Sequence, residues 1–417
     1  MKKVLFSLFL LATVSGFAQR TCGYDEKIAA LKASDPTFAA RHAQTKQLIQ
    51  SEATSQQRLA LAPTEVVTIP VVFHILYRDN QQNISDAQIN SQLAVLNADF
   101  RKLNADFNSV VPAAFRPLAA DMEIVFVKAA FTEWGDPTTG VVRKYVEAPF
   151  NFDNQYYTNA GSPAWNVNYY LNIWVGRFTD PTLLGFAYPP AALGAPFDGL
   201  CIGDQFFGTT GTAIAPYNKG RTATHEIGHY FGLEHLWGDS NIFQGASPAS
   251  CNMSFNSDGV ADTPAQWNAH DNCTSFPNFT YACGNPPNGT MFMNYMDYVP
   301  DACMAFFTQG QKNVVRNAID NIRLGLLFSP GLSVDNVEAI SAITVHPNPA
   351  STYFTITSPE FTVENVHIYN TTGQLVKTVK VDQSNANISI EDLETGVYYL
   401  RMYDNKQYLK SAKLIKK

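Results

Sequence analysis

The chain has 417 residues, too many for one typical domain, so two or three are expected. Its hydrophobic content of 46% excludes wholesale disorder, and a net charge of −7 with only 16% charged residues leaves no electrostatic footprint for nucleic acid. Beyond the N-terminus no apolar run approaches the roughly 20 residues that a membrane span needs, so no stable membrane insertion is expected.

In chain order, Lys2 and Lys3 precede the apolar run Val4–Val14, and Gly16-Phe17-Ala18 offers small residues for cleavage after Ala18. Residues 1–18 therefore read as a signal peptide that directs export to the periplasm and beyond. The run is too short for a membrane anchor, and Gln19-Arg20-Thr21 before Cys22 is not a lipobox. Export permits disulfides. Residues 19–60 carry helical periodicity (Ile28, Leu31, Phe38, Leu48, Ile49) but too little apolar surface to fold alone, as expected of a pro-segment.

A globular region then spans 61–328. The β-branched run Val66–Leu76 predicts a buried strand, with His74 as a core histidine. Ser85 caps an amphipathic helix reaching about Leu103 with Ile89, Leu93, Leu96 and Phe100 on its apolar face. Strands follow at Ile124–Val127 and Leu171–Val175. Leu183–Pro190 is a short strand closed by prolines, which marks a sheet edge, and such an edge beside a cleft takes an extended peptide by β-augmentation. Cys201, in an apolar stretch, reads as a buried thiol. This order predicts an α+β fold with a sheet under two long helices.

The stretch His225-Glu226-Ile227-Gly228-His229-Tyr230-Phe231-Gly232-Leu233-Glu234-His235 reads HExxHxxGxxH. On a helix His225 and His229 share one face, and Glu226 projects beside them. Gly232 ends the helix at positive φ and brings His235 round as a third ligand. Three nitrogens around an open fourth position are the ligand set of a catalytic zinc. The eleven-residue form is far more specific than HExxH alone.

Downstream lie four of the six cysteines: Cys251, Cys273, Cys283 and Cys303. The turn Asp258–Pro264 is acidic, and Asp258, Val260 and Thr263 read either as a calcium ligand set or as a solvated acidic turn. Met291–Met304 follows, a methionine-rich apolar run that by itself reads as core. After a linker at 329–342, alternating strands at Phe354–Ile356, Val366–Tyr369, Leu375–Val381, Ile388–Ile390 and Val397–Met402 predict a small all-β sandwich over 343–417.

HEIGHYFGLEHLWG, then DGVADTP between cysteines, then MFMNYMDYVPDACMAFFTQGQ together resemble the pappalysin metallopeptidases of the metzincin clan, over Val66 to Leu327. The resemblance implies zinc ligands His225, His229 and His235, general base Glu226, Met-turn residue Met296 and oxyanion-binding Tyr298. It also implies disulfides Cys251–Cys283 and Cys273–Cys303, calcium at Asp258, Val260 and Thr263, and an edge strand (Gly185, Ala187) that aligns substrate. Asp301 matches the aspartate at the base of the primed-side pocket in the bacterial members, which implies cleavage on the amino side of Arg and Lys. Gln57–Arg58 and Ile322–Arg323 would then be self-processing bonds. Arg20-Thr21-Cys22-Gly23-Tyr24-Asp25 looks like a cysteine-switch segment, in which the Cys22 thiolate ligates zinc in a latent form; the alternatives are a stray cysteine or a pair with Cys201.

His346-Pro347-Asn348-Pro349, Asn370–Gly373 and Gly396–Tyr399 resemble the type A sorting domain of the type IX secretion system, and the basic tail Lys413–Lys417 fits. A fibronectin-like or carbohydrate-binding module is the alternative. The whole reads as a secreted zinc endopeptidase acting on proteins or peptides, made as a zymogen and exported by the type IX machinery. A catalytically inactive secreted binding protein on the same scaffold is the rival expectation.

Overall fold

The computed structural model describes residues 21–54, 66–132, 136–238, 251, 257–329, 343–358, 362–371, 375–381, 387–404 and 407–417. The signal-peptide residues 1–18, the bond Gln57–Arg58 and nearly all of the linker at 329–342 lie outside them.

The first domain is built on one sheet in the order β1 (Thr21–Cys22), β6 (Leu183–Ala187), β7 (Leu200–Gly203), β5 (Leu171–Gly176), β2 (Val67–Tyr77) and β3 (Ile124–Lys128), with β4 (Val141–Tyr145) also pairing β2. Its centre is β2 (Val67–Tyr77), an eleven-residue strand buried along almost its whole length. It runs parallel to β3 (Ile124–Lys128) through its first half, to β4 (Val141–Tyr145) through its second, and to β5 (Leu171–Gly176) on the other side. A parallel strand covered on both faces needs apolar side chains at successive positions, which is why the segment reads as a continuous run rather than an alternation. Beyond β5 come β7 (Leu200–Gly203), parallel to it, and β6 (Leu183–Ala187), antiparallel to β7.

Helix α3 (Asp86–Phe100) begins where Ser85 accepts a hydrogen bond from the Gln88 amide, and it ends at Phe100, three residues before the expected Leu103. With α6 (Arg221–Tyr230) it lies over the sheet, and α7 (Gln309–Asn321) starts with a reciprocal capping box between Thr308 and Gln311. The four-residue helices α4 (Phe107–Val110) and α5 (Phe152–Gln155) turn the intervening chain. Ile69, Val71 and Phe73 of β2, Leu96 and Phe100 of α3, and Ile227 of α6 share one core with Met296.

The N-terminal segment forms α1 (Tyr24–Ser34) and α2 (Pro36–Thr54) and is packed, not loose: Ile49 is buried in the main core, while Tyr24, Ile28 and Phe38 join a second cluster with Trp174 and Phe186. It also supplies β1 (Thr21–Cys22), parallel to β6. The edge expected at Leu183–Pro190 is therefore closed by the chain's own N-terminus. His74 is a core histidine with both ring nitrogens engaged, at 2.8 Å from Ser162 Oγ and 2.9 Å from Asn172 Oδ1.

Self-processing at Ile322–Arg323 needs correction. Arg323 is 1% exposed, forms a two-point ion pair with Asp198 at 2.8 and 2.9 Å, and lies 3.5 Å above the Tyr230 ring. A protease cleft cannot reach that bond in the folded domain.

The C-terminal region is a separate sandwich of a four-stranded sheet, β11 (Leu375–Lys380), β10 (Asn365–Asn370), β13 (Gly396–Asp404) and β14 (Gln407–Lys416), and a three-stranded one, β12 (Asn387–Ser389), β9 (Tyr353–Thr357) and β8 (Thr344–His346). Phe354, Val366, Ile368, Leu400 and Leu414 fill its core. The basic tail is not loose, since most of it belongs to β14, antiparallel to β13.

Candidate metal centre and active site

All ten residues of α6 are buried, an unusual setting for two histidines and a glutamate. Gly232 at φ +91° turns the chain after the helix, and His235 arrives beside the first two imidazoles. His225 Nδ1 lies 2.7 Å from the Tyr295 carbonyl, His229 Nδ1 2.8 Å from the Leu233 carbonyl and His235 Nδ1 3.4 Å from the Asp25 carboxylate. These oxygens only accept, so each Nδ1 carries the proton and each Nε2 is a bare lone pair. The Nε2 of His229 is 3.1 Å from that of His225 and 3.0 Å from that of His235. Three lone pairs turned on one another repel unless a cation sits among them. With Cys22 Sγ they form a set of ligand atoms all within 4.8 Å of one another, so the residues present fit a borderline-soft divalent ion such as zinc.

The floor of the site is the turn at Met296. A Cβ placed on Gly228 would lie 2.5 Å from Met296 Sδ, so glycine in the helix and methionine in the turn are matched in shape. Tyr298 packs edge-on against both Trp237 and His235, with ring centroids 4.8 and 4.9 Å away and nearly perpendicular to both. Trp237 itself stacks on His235 at 4.6 Å.

At the start of α6, Arg221 binds Asp106 through two nitrogens at 2.6 and 2.8 Å and approaches Asp99 at 3.6 Å. Burial pushes the Asp99 carboxyl up to about 6 despite that guanidinium. Against its own burial, Asp106 is held down to about 2 by the Arg221 hydrogen bonds. Asp301 Oδ2 accepts the Lys219 and Arg221 amides at 2.8 and 3.3 Å, so this carboxylate is fixed at the helix N-terminus.

From the opposite side comes the N-terminal segment. Cys22 Sγ is 3.5 Å from Glu226 Oε2, and burial and the Glu226 charge push the thiol well up. The Gly23 amide donates to the Gly185 carbonyl at 2.9 Å, and Cys22 is in register with Gly185. Ala187 pairs with Leu200 of β7. Tyr24 stacks on His229 at 4.0 Å with 6° between the planes. Lys46 of α2 pairs with Glu234 at 2.6 Å, and Gln50 donates to the Asp258 carbonyl at 3.2 Å. Cys22 and Cys201 are both free thiols, not a pair.

Asp258, Val260 and Thr263 do come together. Thr263 Oγ1 is 2.6 Å from Asp258 Oδ1 and 2.9 Å from the Val260 carbonyl, while the buried Asp258 Oδ2 has no hydrogen-bond partner among the described residues. Burial pushes that carboxyl up to about 8. Cys251 is bonded to Cys283 and Cys273 to Cys303. Sequence reasoning passed over Trp237, Tyr24 and Asp25 at the site. Tyr24 and Asp25 lie in the hexapeptide singled out for Cys22, and Trp237 only two residues past the third histidine, but nothing local says which ring they face.

Residues 154–320 match a family model described as pregnancy-associated plasma protein-A, and residues 344–417 match a secretion system C-terminal sorting domain. An extracellular metalloprotease of Colletotrichum graminicola is 27% identical over 73% of this chain and 94% of its own length. One from Pyricularia oryzae is 36% identical over 37% of this chain and 50% of its own. Among solved structures, a glutamate-to-alanine mutant of promirolysin from Tannerella forsythia superimposes with a TM-score of 0.64 at 39% identity, covering 74% of this chain and 97% of that one. Mature mirolysin from the same organism, in complex with a cleaved peptide, gives 0.57 at 42% identity over 64% and 97%.

Proposed function

The chain belongs to the pappalysin metallopeptidases, and from that premise we propose a residue-by-residue reading of how it acts, what it cuts and how it is kept silent. It is a secreted zinc metalloendopeptidase with a type IX sorting domain at its C-terminus, which sets aside the inactive binding protein as a rival. His225, His229 and His235 hold the zinc through Nε2. The observation that carries this is the convergence of those three atoms with every Nδ1 turned to an acceptor.

Bound zinc supplies a Lewis acid for the scissile carbonyl and makes water acidic enough to lose a proton near neutral pH. Glu226 would serve as the general base for the attacking water and hand the proton on to the leaving amine. Tyr298 donates its hydroxyl hydrogen to the developing oxyanion, and Met296 keeps the underside of the ligands apolar. No side-chain nucleophile is required. The backbone of β6 at Gly185 and Ala187 aligns the substrate as an added strand. Asp301 faces an arginine or lysine after the scissile bond, where a charge-assisted pair discriminates against neutral side chains.

Before maturation Cys22 would supply a fourth ligand beside the three histidines, with residues 19–60 as pro-segment. The reading is supported by its distance to Glu226 and by a likeness that covers more of this chain for promirolysin than for the mature form. Calcium at Asp258, Val260 and Thr263 is supported by the convergence of their oxygens and by a buried carboxylate oxygen with no hydrogen-bond partner among the described residues. In this scheme residues 1–18 are the signal peptide to the periplasm, 61–328 the catalytic domain, 329–342 a linker and 343–417 the sorting sandwich.

Peptide-library profiling of the processed enzyme tests the whole. Cleavage before Arg and Lys, lost in Glu226→Ala and broadened in Asp301→Ala, is expected. Cleavage with no preference after the scissile bond would remove Asp301 from its role, and retained activity in Glu226→Ala would remove the proposed base.

A further inference from the structure

Asp297 stands between Met296 and Tyr298, and its carboxylate is completely buried. Its Oδ1 accepts the amides of Tyr298 at 2.7 Å and His270 at 2.8 Å, and its Oδ2 accepts Gln266 Nε2 at 3.0 Å and His270 Nδ1 at 2.9 Å. The imidazole is pinned in turn: its Nε2 meets Thr290 Oγ1 at 3.2 Å, and its ring packs on Tyr281 at 4.9 Å. Both Gln266 and His270 belong to the segment stapled by Cys251–Cys283 and Cys273–Cys303. The mechanism above gives this acid–imidazole pair no task. A buried carboxylate is costly unless its oxygens are satisfied, and here its four hydrogen bonds join the disulfide segment to the backbone of the oxyanion residue.

We propose that His270 and Asp297 form a positioning pair for Tyr298. The pair clamps the Tyr298 backbone, while the stacked rings of Trp237 and His235 pack edge-on against its ring, so that the hydroxyl is aimed before substrate arrives. The inference rests on the reading of Tyr298 as the oxyanion donor. Electrostatic stabilisation of this kind is steeply sensitive to placement, and a 1 Å error costs up to about 100-fold in rate.

His270→Phe keeps a ring in the packing but deletes the side-chain donor to Asp297, whereas His270→Asn keeps an N–H at the position of Nδ1. The test measures kcat and KM of the processed enzyme, zinc per chain and melting temperature. Expected is a fall in kcat of about 10- to 100-fold for His270→Phe with KM within about twofold, full zinc content, and recovery to within about threefold of wild type in His270→Asn. In a Tyr298→Phe background, His270→Phe is expected to add less than about a twofold loss, because the group it aims is already gone. Should His270→Phe fold poorly, Thr290→Val loosens the far side of the ring and is expected to lower kcat about threefold in the wild-type background alone. An equal loss in both backgrounds, or equal damage from Phe and Asn, overturns the positioning role in favour of a general structural one. An unchanged kcat in Tyr298→Phe overturns the reading of Tyr298 itself and takes the positioning role with it.

Discussion

Two segments meet the histidine triad from opposite sides, and they are built in contrasting ways. The floor, Met291 to Val299, is buried throughout, shares the main core with α6 and is tied through Asp297 to a segment carrying both disulfides. The roof, Thr21 to Asp25, is a two-residue strand, a stacked ring and a half-exposed carboxylate, followed by helices that rest on the catalytic domain. One side resists displacement because moving it disrupts the core. The other is packed as well, with Ile49 in the main core and Tyr24, Ile28 and Phe38 in a second cluster, yet the central strand β2 takes its partners β3, β4 and β5 from elsewhere in the chain. The contrast thus lies in what each side is tied to, the floor to the helix core and the disulfide segment, the roof to the sheet edge at β6.

The largest effect expected on the floor side is chemical. Glu226→Ala should lower kcat by about 10³- to 10⁴-fold with the melting temperature little changed, as measured on a fluorogenic peptide. On the roof side, Cys22→Ser in the unprocessed chain should raise basal hydrolysis about tenfold or more, because a hydroxyl is a far poorer zinc ligand than a thiolate. Silence equal to wild type would mean that Tyr24 and the helices alone close the site.

A third expectation concerns pH. Asp106, held near 2, stabilises the fold above its ordinary value near 4 and loses that contribution as pH falls from about 4 to 2. Asp99, raised to about 6, does the opposite: the folded state binds its proton more tightly, so stability falls as pH rises from about 4 to 6 and then levels. Urea midpoints of the zinc-saturated enzyme should show that decline, and Asp99→Asn should flatten it. The smallest effect is at Lys46, whose partly exposed pair with Glu234 is worth up to about 1 kcal/mol. Lys46→Ala should therefore speed release of the cleaved pro-segment by no more than about fivefold, followed by size-exclusion chromatography.

What could be read from the sequence follows the same divide. His225, Glu226, His229 and Gly232 were legible because a helix and its end impose fixed spacings. Met296 and Tyr298 were legible only through the family likeness, since an apolar methionine run has no periodicity of its own. β4 and β7 were missed because five and four residues are too short to show a pattern, and β4 is largely exposed. The strand β14 was hidden because its lysines suggested a tail, although Leu409 and Leu414 lie in the sandwich core. Tyr24 and Asp25 touch histidines more than two hundred residues away, a distance across which no local signal carries.

The pairing of β1 with β6 has one more consequence, for the journey out of the cell. An uncovered sheet edge is a template for strands of neighbouring chains, and its hazard grows with crowding. Here the row of backbone groups around Gly185 is occupied by the chain's own Cys22 and Gly23. Under the latency proposed above, the segment that covers the site also guards this edge against edge-to-edge association, and both protections would lapse together on its removal.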